Sequence, residues 1–274
     1  MPASAGQSAP SVDLDLDAYA ARLGIVLPDR LDADALRRLH AAHLAAIPFE
    51  NLDVQLGRPI RIDPASVVQK LVHGRRGGYC FEQNTLFMHV LRALGARVTP
   101  HEARVRSGAT SVLPRTHMTL AVTVGKEKYL CDVGFGGYSP LYPVPLNGEA
   151  VTQSAWTYRV TSGGVLRVLQ WFRNGRWEDL YAIEPGERYD VDFEMANWFT
   201  STWPQSRFVL TLTAQRALVD VRHVLRNLTY TEDHGDAVFT RDITRAELLP
   251  LLRNVFGLDL PDDARFRALD TASA

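Results

Sequence analysis

Only two cysteines, Cys80 and Cys131, occur among the 274 residues. That scarcity excludes a disulfide framework and fits a reducing compartment, so a cytoplasmic location is expected. Two thiols are also too few for a structural zinc site unless histidines complete it. His40 and His43 stand three apart on a predicted helix with no further ligand pair in view. They read as surface or groove histidines, and no metal is expected. The formal net charge is −1, so no excess of basic charge points to nucleic acid or an anionic membrane. No apolar run approaches the roughly 18–20 residues of a membrane span. Residues 1–12 are small and polar, lack the basic and apolar regions of a signal peptide, and read as a disordered tail. Internal repeats and low-complexity stretches are missing too.

What is present falls into three parts. The first third reads helical: Asp13 to Leu23 ending at Gly24, then Asp32 to Ala46 with Leu36, Leu39, His43 and Leu44 on one stripe. A third helix opens at Asp63-Pro64 and ends at Gly74. A fourth begins near Cys80 and carries Phe81, Leu86, Phe87, Val90, Leu91 and Leu94 at helical spacing. The middle third alternates instead. His117–Val124 and Tyr129–Val133 read as a hairpin, followed by strands at Trp156–Val160, Val165–Phe172 and Leu180–Ile183. The last third is mixed, with predicted strands at Phe208–Thr213, Arg216–Val221 and Asn227–Thr231. Thr244 and Glu247 form a capping box before Leu248–Phe256, a helix interrupted by Pro250. Helices followed by strands argue for an α+β fold with an antiparallel sheet or small barrel, not for alternating βαβ units.

One short segment suggests chemistry. Gly77 and Gly78 precede Tyr79 and Cys80, and an apolar-periodic helix follows. Cys80 therefore falls at or near a helix N-terminus, where unpaired N–H groups and the helix dipole favour an anion. The thiolate is the nucleophilic form of cysteine, and the same N–H groups could hold an oxyanion. Arg75 and Arg76 add positive potential. The pattern fits equally a small buried cysteine packed in a turn. Cys131 reads as sheet packing, turned to the opposite face from Asp132 by strand alternation.

A cysteine nucleophile commonly works with a histidine held by a third group. His117 opens a predicted strand, and its hairpin partner ends at Asp132. With Lys126-Glu127 as the turn centre, residue 121 faces residue 132. His117 and Asp132 then share a face but lie about four residues out of register, so a bulge would have to bring them together. The plainer readings are an exposed strand-end histidine and an aspartate before a turn glycine.

These residues resemble a known family. Arg76-Gly77-Gly78-Tyr79-Cys80-Phe81-Glu82 is similar to the nucleophile motif of arylamine N-acetyltransferases. Ile47–Leu52, Thr116-His117, Asp132–Gly136 and Asn197–Pro204 resemble further hallmarks of that family in order and spacing. The resemblance runs from Tyr19 to Phe208 and weakens beyond. It implies a cysteine-protease-like triad of Cys80, His117 and Asp132, and a fold in three parts. These are a helical bundle over residues 13–95, an antiparallel β-barrel over 96–195 and a C-terminal α/β lid over 196–274. It further implies acetyl-coenzyme A as donor, held by Thr116, the loop bearing Gly134, Gly136 and Gly137, and Phe199, Gln205 and Ser206. Phe199 and Gln205 stand where some relatives carry tyrosine and threonine. Phe49, Val105 and Phe135 would line a site for a small aromatic amine or hydrazine. Glu50 would meet Arg22 or Arg76 in a buried ion network. A monomer or homodimer is expected, with no nucleic-acid or membrane partner. The rival readings are an amide synthase closing a macrolactam, a thiol hydrolase, and a non-catalytic binding protein on the same scaffold.

Overall fold

A computed structural model describes residues 14–270; the expected tail lies outside that range. Five helical segments come first: Leu16–Leu23, Ala33–Ala46, Leu52–Gln55, Pro64–Val68 and Cys80–Ala93. Capping sets their starts. The carboxylates of Asp15, Asp32 and Asp63 accept from Ala18 N, Ala35 N and Ser66 N, satisfying donors the helix cannot. The helix expected to run on to Gly74 changes character at residue 69, where Gln69–His73 winds as a π-helix.

The central sheet has eight antiparallel strands. Its spatial order is Val144–Pro145, Glu127–Cys131, His117–Val124, Arg97–Val105, Arg176–Ile183, Leu166–Arg173, Trp156–Gly163 and Val151–Gln153. Val144–Pro145 also packs against Trp156–Gly163, so the sheet curls into a nearly closed barrel. The strand Arg97–Val105 was not predicted. Its hydrophobic alternation is broken by Pro100, Arg97, His101 and Glu102, and it is held by pairing with His117–Val124 along most of its length.

A second sheet orders Phe49–Glu50, Thr213–Ala217, Arg222–Arg226, Thr229–Asp233 and Val238–Asp242. Three expected strands shift here. Residues 207–210 are a short helix, capped by the Ser206 hydroxyl, rather than the start of a strand. The expected strand Arg216–Val221 ends at Ala217, because residues 218–221 turn, with Leu218 N bonded to Val221 O at 2.9 Å. Asn227 takes a left-handed φ of 51° in the next turn, so its strand starts at Thr229. The capping box at Thr244 and Glu247 forms, and the helix Arg245–Phe256 accommodates Pro250. Another helix, Asp190–Thr202, was not foreseen, and the expected boundary at 195/196 lies inside it.

Met118, Leu120 and Val122 pack with Phe81, Leu86, Phe87 and Leu91 in one core between barrel and helices. That contact fixes the helix bearing Cys80 against the strand bearing His117, and each buried large side chain contributes about 1.5–3 kcal/mol to it.

Candidate active site

Cys80 is the first residue of the helix Cys80–Ala93. The Glu82 carboxylate reaches back to accept from Tyr79 N at 3.1 Å, which pins the helix start. The two glycines before it serve close approach rather than a left-handed turn. A Cβ on Gly77 would lie 2.1 Å from the Pro48 carbonyl oxygen, and one on Gly78 would lie 2.7 Å from Glu82 Oε2. The left-handed residue is Arg75, at φ 50°.

The hairpin differs from its expected register. Val124 pairs with Glu127 and Leu120 with Cys131, so the turn is Gly125-Lys126, with Gly125 at φ 60°. A glycine at the first central position suits such a two-residue hairpin turn. Extending the ladder puts Asp132 opposite Thr119, two positions from His117 rather than four. Diagonal neighbours on one face are within reach of long side chains, so no bulge is needed. His117 Nε2 lies 2.6 Å from Asp132 Oδ2, and both residues are buried. The Cys80 side chain is also close enough to act on the imidazole. Since Nε2 faces Asp132, Nδ1 is the nitrogen left for sulfur. Cys80 Sγ also lies 3.7 Å from the Thr116 carbonyl oxygen.

The electrostatics follow from this packing. Burial would lower the His117 imidazolium, but the Asp132 carboxylate, its hydrogen bond and Cys80 outweigh it and push His117 up to about 10. Burial would raise Asp132, yet His117 and the donors around it hold it below the usual range. Those donors were not foreseen. Asn84 Nδ2 lies 3.0 Å from Asp132 Oδ1, and Gly134 N donates to the same oxygen at 2.9 Å. Asn84 stands four residues after Cys80, one helical turn along the same face, so helical spacing could have revealed it. His40 had no such signal. It is buried, donates from Nδ1 to Leu141 O at 3.0 Å and accepts from Asp132 N at 3.1 Å. Burial pushes it down to about 4, so it is neutral. His43, also buried, joins Tyr19 to Gln83, which in turn donates to Pro48 O. Both histidines are structural struts rather than surface or groove groups. Among the described residues no group of three or more His, Cys, Asp or Glu side chains could hold a metal.

Cys80 and His117 line a cleft of about 800 Å³. Phe49, Val105 and Phe135 line it too, as do Thr116, Gly134, Phe199, Gln205 and Ser206. Gly136 and Gly137 lie behind the wall, where Gly137 N donates to Gln215 Oε1 at 2.5 Å. The rings of His117, Phe135 and Tyr181 pack against one another, with centroids 4.7–5.0 Å apart.

The family model for N-acetyltransferases matches residues 32–265. The Arylamine N-acetyltransferase of Escherichia coli is 39% identical over 255 residues, covering 91% of this chain and 90% of its own. The chain belongs to the arylamine N-acetyltransferase family. The Salmonella typhimurium family member superposes with a TM-score of 0.86 at 36% identity, covering 94% of this chain and 96% of that one. The Mycobacterium marinum enzyme in complex with CoA matches with a TM-score of 0.83 at 35% identity, covering 89% and 92%. The α+β fold with its barrel is thus the family's fold, and the chain is an acyltransferase of this family. No helix among the described residues is long and apolar enough to cross a membrane.

The ion network forms, with a change of membership. Arg76 bonds Glu50 at 2.8 Å and Asp53 at 3.2 Å. Lys70 joins it, 2.8 Å from Asp53 and 2.7 Å from Glu82. Arg22 does not meet Glu50. It donates instead to the carbonyl oxygens of Leu71 and Arg75, at 3.2 and 3.4 Å.

Proposed function

We propose that this enzyme transfers an acetyl group from acetyl-coenzyme A to the nitrogen of an arylamine or arylhydrazine through an acetyl-Cys80 intermediate. The observation that carries the reading is a cysteine at a helix N-terminus, beside a histidine that a carboxylate holds, on the wall of an open cleft. The names of the relatives and the CoA complex of one of them support donor and acceptor.

His117, cationic near neutral pH, faces the Cys80 sulfur. In the first half-reaction the thiolate attacks the thioester carbonyl, and helix N-terminal N–H groups receive the oxyanion. The bond to coenzyme A breaks, its sulfur takes the proton from His117, and acetyl-Cys80 remains. In the second, the amine nitrogen attacks the acetyl carbon and gives its proton to His117. The Cys80 thiolate is expelled, and the starting pair is restored. An aromatic amine suits this step because its nitrogen is largely unprotonated near neutral pH.

Phe49, Val105 and Phe135 supply an apolar wall for the ring. Thr116, Gly134, Phe199, Gln205 and Ser206 contact the donor, while Gly136 and Gly137 shape the loop from behind. Initial rates with both substrates varied test the scheme. Parallel double-reciprocal lines support it, and intersecting lines contradict it. Acetate release without amine would mark a thiol hydrolase instead.

A further inference from the structure

The cleft has an uneven charge. Apart from the catalytic His117, its charged lining residues are Arg207 and Arg226, and among the described residues no Asp, Glu or Lys lines it. Arg226 pairs with Thr213 across adjacent strands. Directly opposed residues share a sheet face, and Thr213 and Gln215 both line the cleft. Arg226 therefore faces the same space. Arg207 opens the short helix Arg207–Leu210, beside Phe208, whose ring lies 6.0 Å from that of Phe49.

The charge of Arg226 reaches Arg207. Desolvation, and after it the charge of Arg226, lowers Arg207 from its ordinary value, while no carboxylate acts on it. Among the described residues no carboxylate lies within 4 Å of either side chain. Paired cations without an acid between them repel, and a bound oxyanion would offset that repulsion. Two planar forks also match the geometry of phosphate or carboxylate.

We propose that Arg207 and Arg226 jointly bind one oxyanion in the cleft, and so select substrates that carry a phosphate or carboxylate. The inference rests on the acetyl-transfer reading for its substrates. The oxyanion has two sources, a phosphate of the donor or a ring carboxylate on the acceptor.

The test compares wild type with Arg207→Gln, Arg226→Gln and the double variant. One arm takes the ratio of acylation efficiencies for acetyl-coenzyme A and the uncharged donor 4-nitrophenyl acetate. The other takes the ratio of efficiencies for 4-aminobenzoate and its neutral methyl ester. The double variant is expected to lower one ratio by about tenfold or more. A fall in the donor ratio assigns the site to phosphate, and a fall in the acceptor ratio assigns it to carboxylate. Both ratios holding within twofold would overturn the proposal. Calorimetric binding of coenzyme A and of 4-acetamidobenzoate to the Cys80→Ser protein reads the same site without turnover. Weaker binding of either in the arginine variants supports the site even if wild type transfers no acetyl group, and unchanged binding of both counts against it.

Discussion

Asp132 reaches His117 on the diagonal of a hairpin, with 2.6 Å between Oδ2 and Nε2. Gly125-Lys126 as the turn permits the contact, since moving the turn one residue towards the C-terminus would separate the pair by two further positions. Register here decides chemistry.

The first prediction concerns that pair. Replacing Asp132 with Asn removes the charge that outweighs burial at His117. Transfer activity should fall by on the order of 10²–10⁴-fold, as for a comparable change in other triads. NMR of the His117 ring should show the wild-type imidazolium persisting up to about pH 10. In the variant the ring should be neutral at pH 8. Because the folded His117 value is raised, its stabilising contribution is full below about pH 6.5 and is lost as pH rises through about 10. Thermal melts should therefore show the wild-type advantage shrinking on the alkaline side of neutrality.

A second prediction uses Gly134. A Cβ there would lie 2.7 Å from Cys80 Cα and 2.6 Å from Asn84 Nδ2. Backbone cannot yield cheaply, so Gly134→Ala should cost about 1–3 kcal/mol and displace Cys80. Denaturant melts read the first effect, and the rate of acetyl-enzyme formation reads the second. A variant with wild-type stability and rate would show that the approach is looser than described.

The third concerns charge in the helical core. Lys70 sits between Asp53 and Glu82, and Glu82 is buried. Burial pushes Glu82 up to about 7 even beside Lys70, so in Lys70→Met the carboxyl at the base of the helix bearing Cys80 takes a proton instead of standing as an unpaired charge. A loss of about 1–3 kcal/mol is expected in urea melts. Lys70→Arg should recover part of it.

Much of this site was legible in the sequence, and the gaps have physical causes. Helical periodicity located Cys80 at a helix start, and alternation put Cys131 and Asp132 on opposite faces. The exact turn was not legible, because Gly125, Lys126, Glu127 and Lys128 all favour turns, and only the pairing of Val124 with Glu127 decides among them. Buried struts such as His40 and Tyr181 join elements far apart in the chain, and local pattern carries no record of them. The C-terminal strands drifted because their residues alternate weakly and their ends are fixed by turns at Asp220 and Asn227. The resemblance to the family supplied the triad contact and pointed to Arg22 or Arg76 as the partner of Glu50. The structure gives that place to Arg76, with Lys70 completing the cluster.

The most direct measurement is mass spectrometry of the enzyme mixed with acetyl-coenzyme A and no amine. One acetyl group should appear on the peptide containing Cys80, disappear when an arylamine is added, and be missing from Cys80→Ala. Cys131 should stay unlabelled, since it is fully buried and burial pushes its thiol up. Acetyl on Cys131, or full transfer activity in Cys80→Ala, would contradict the account.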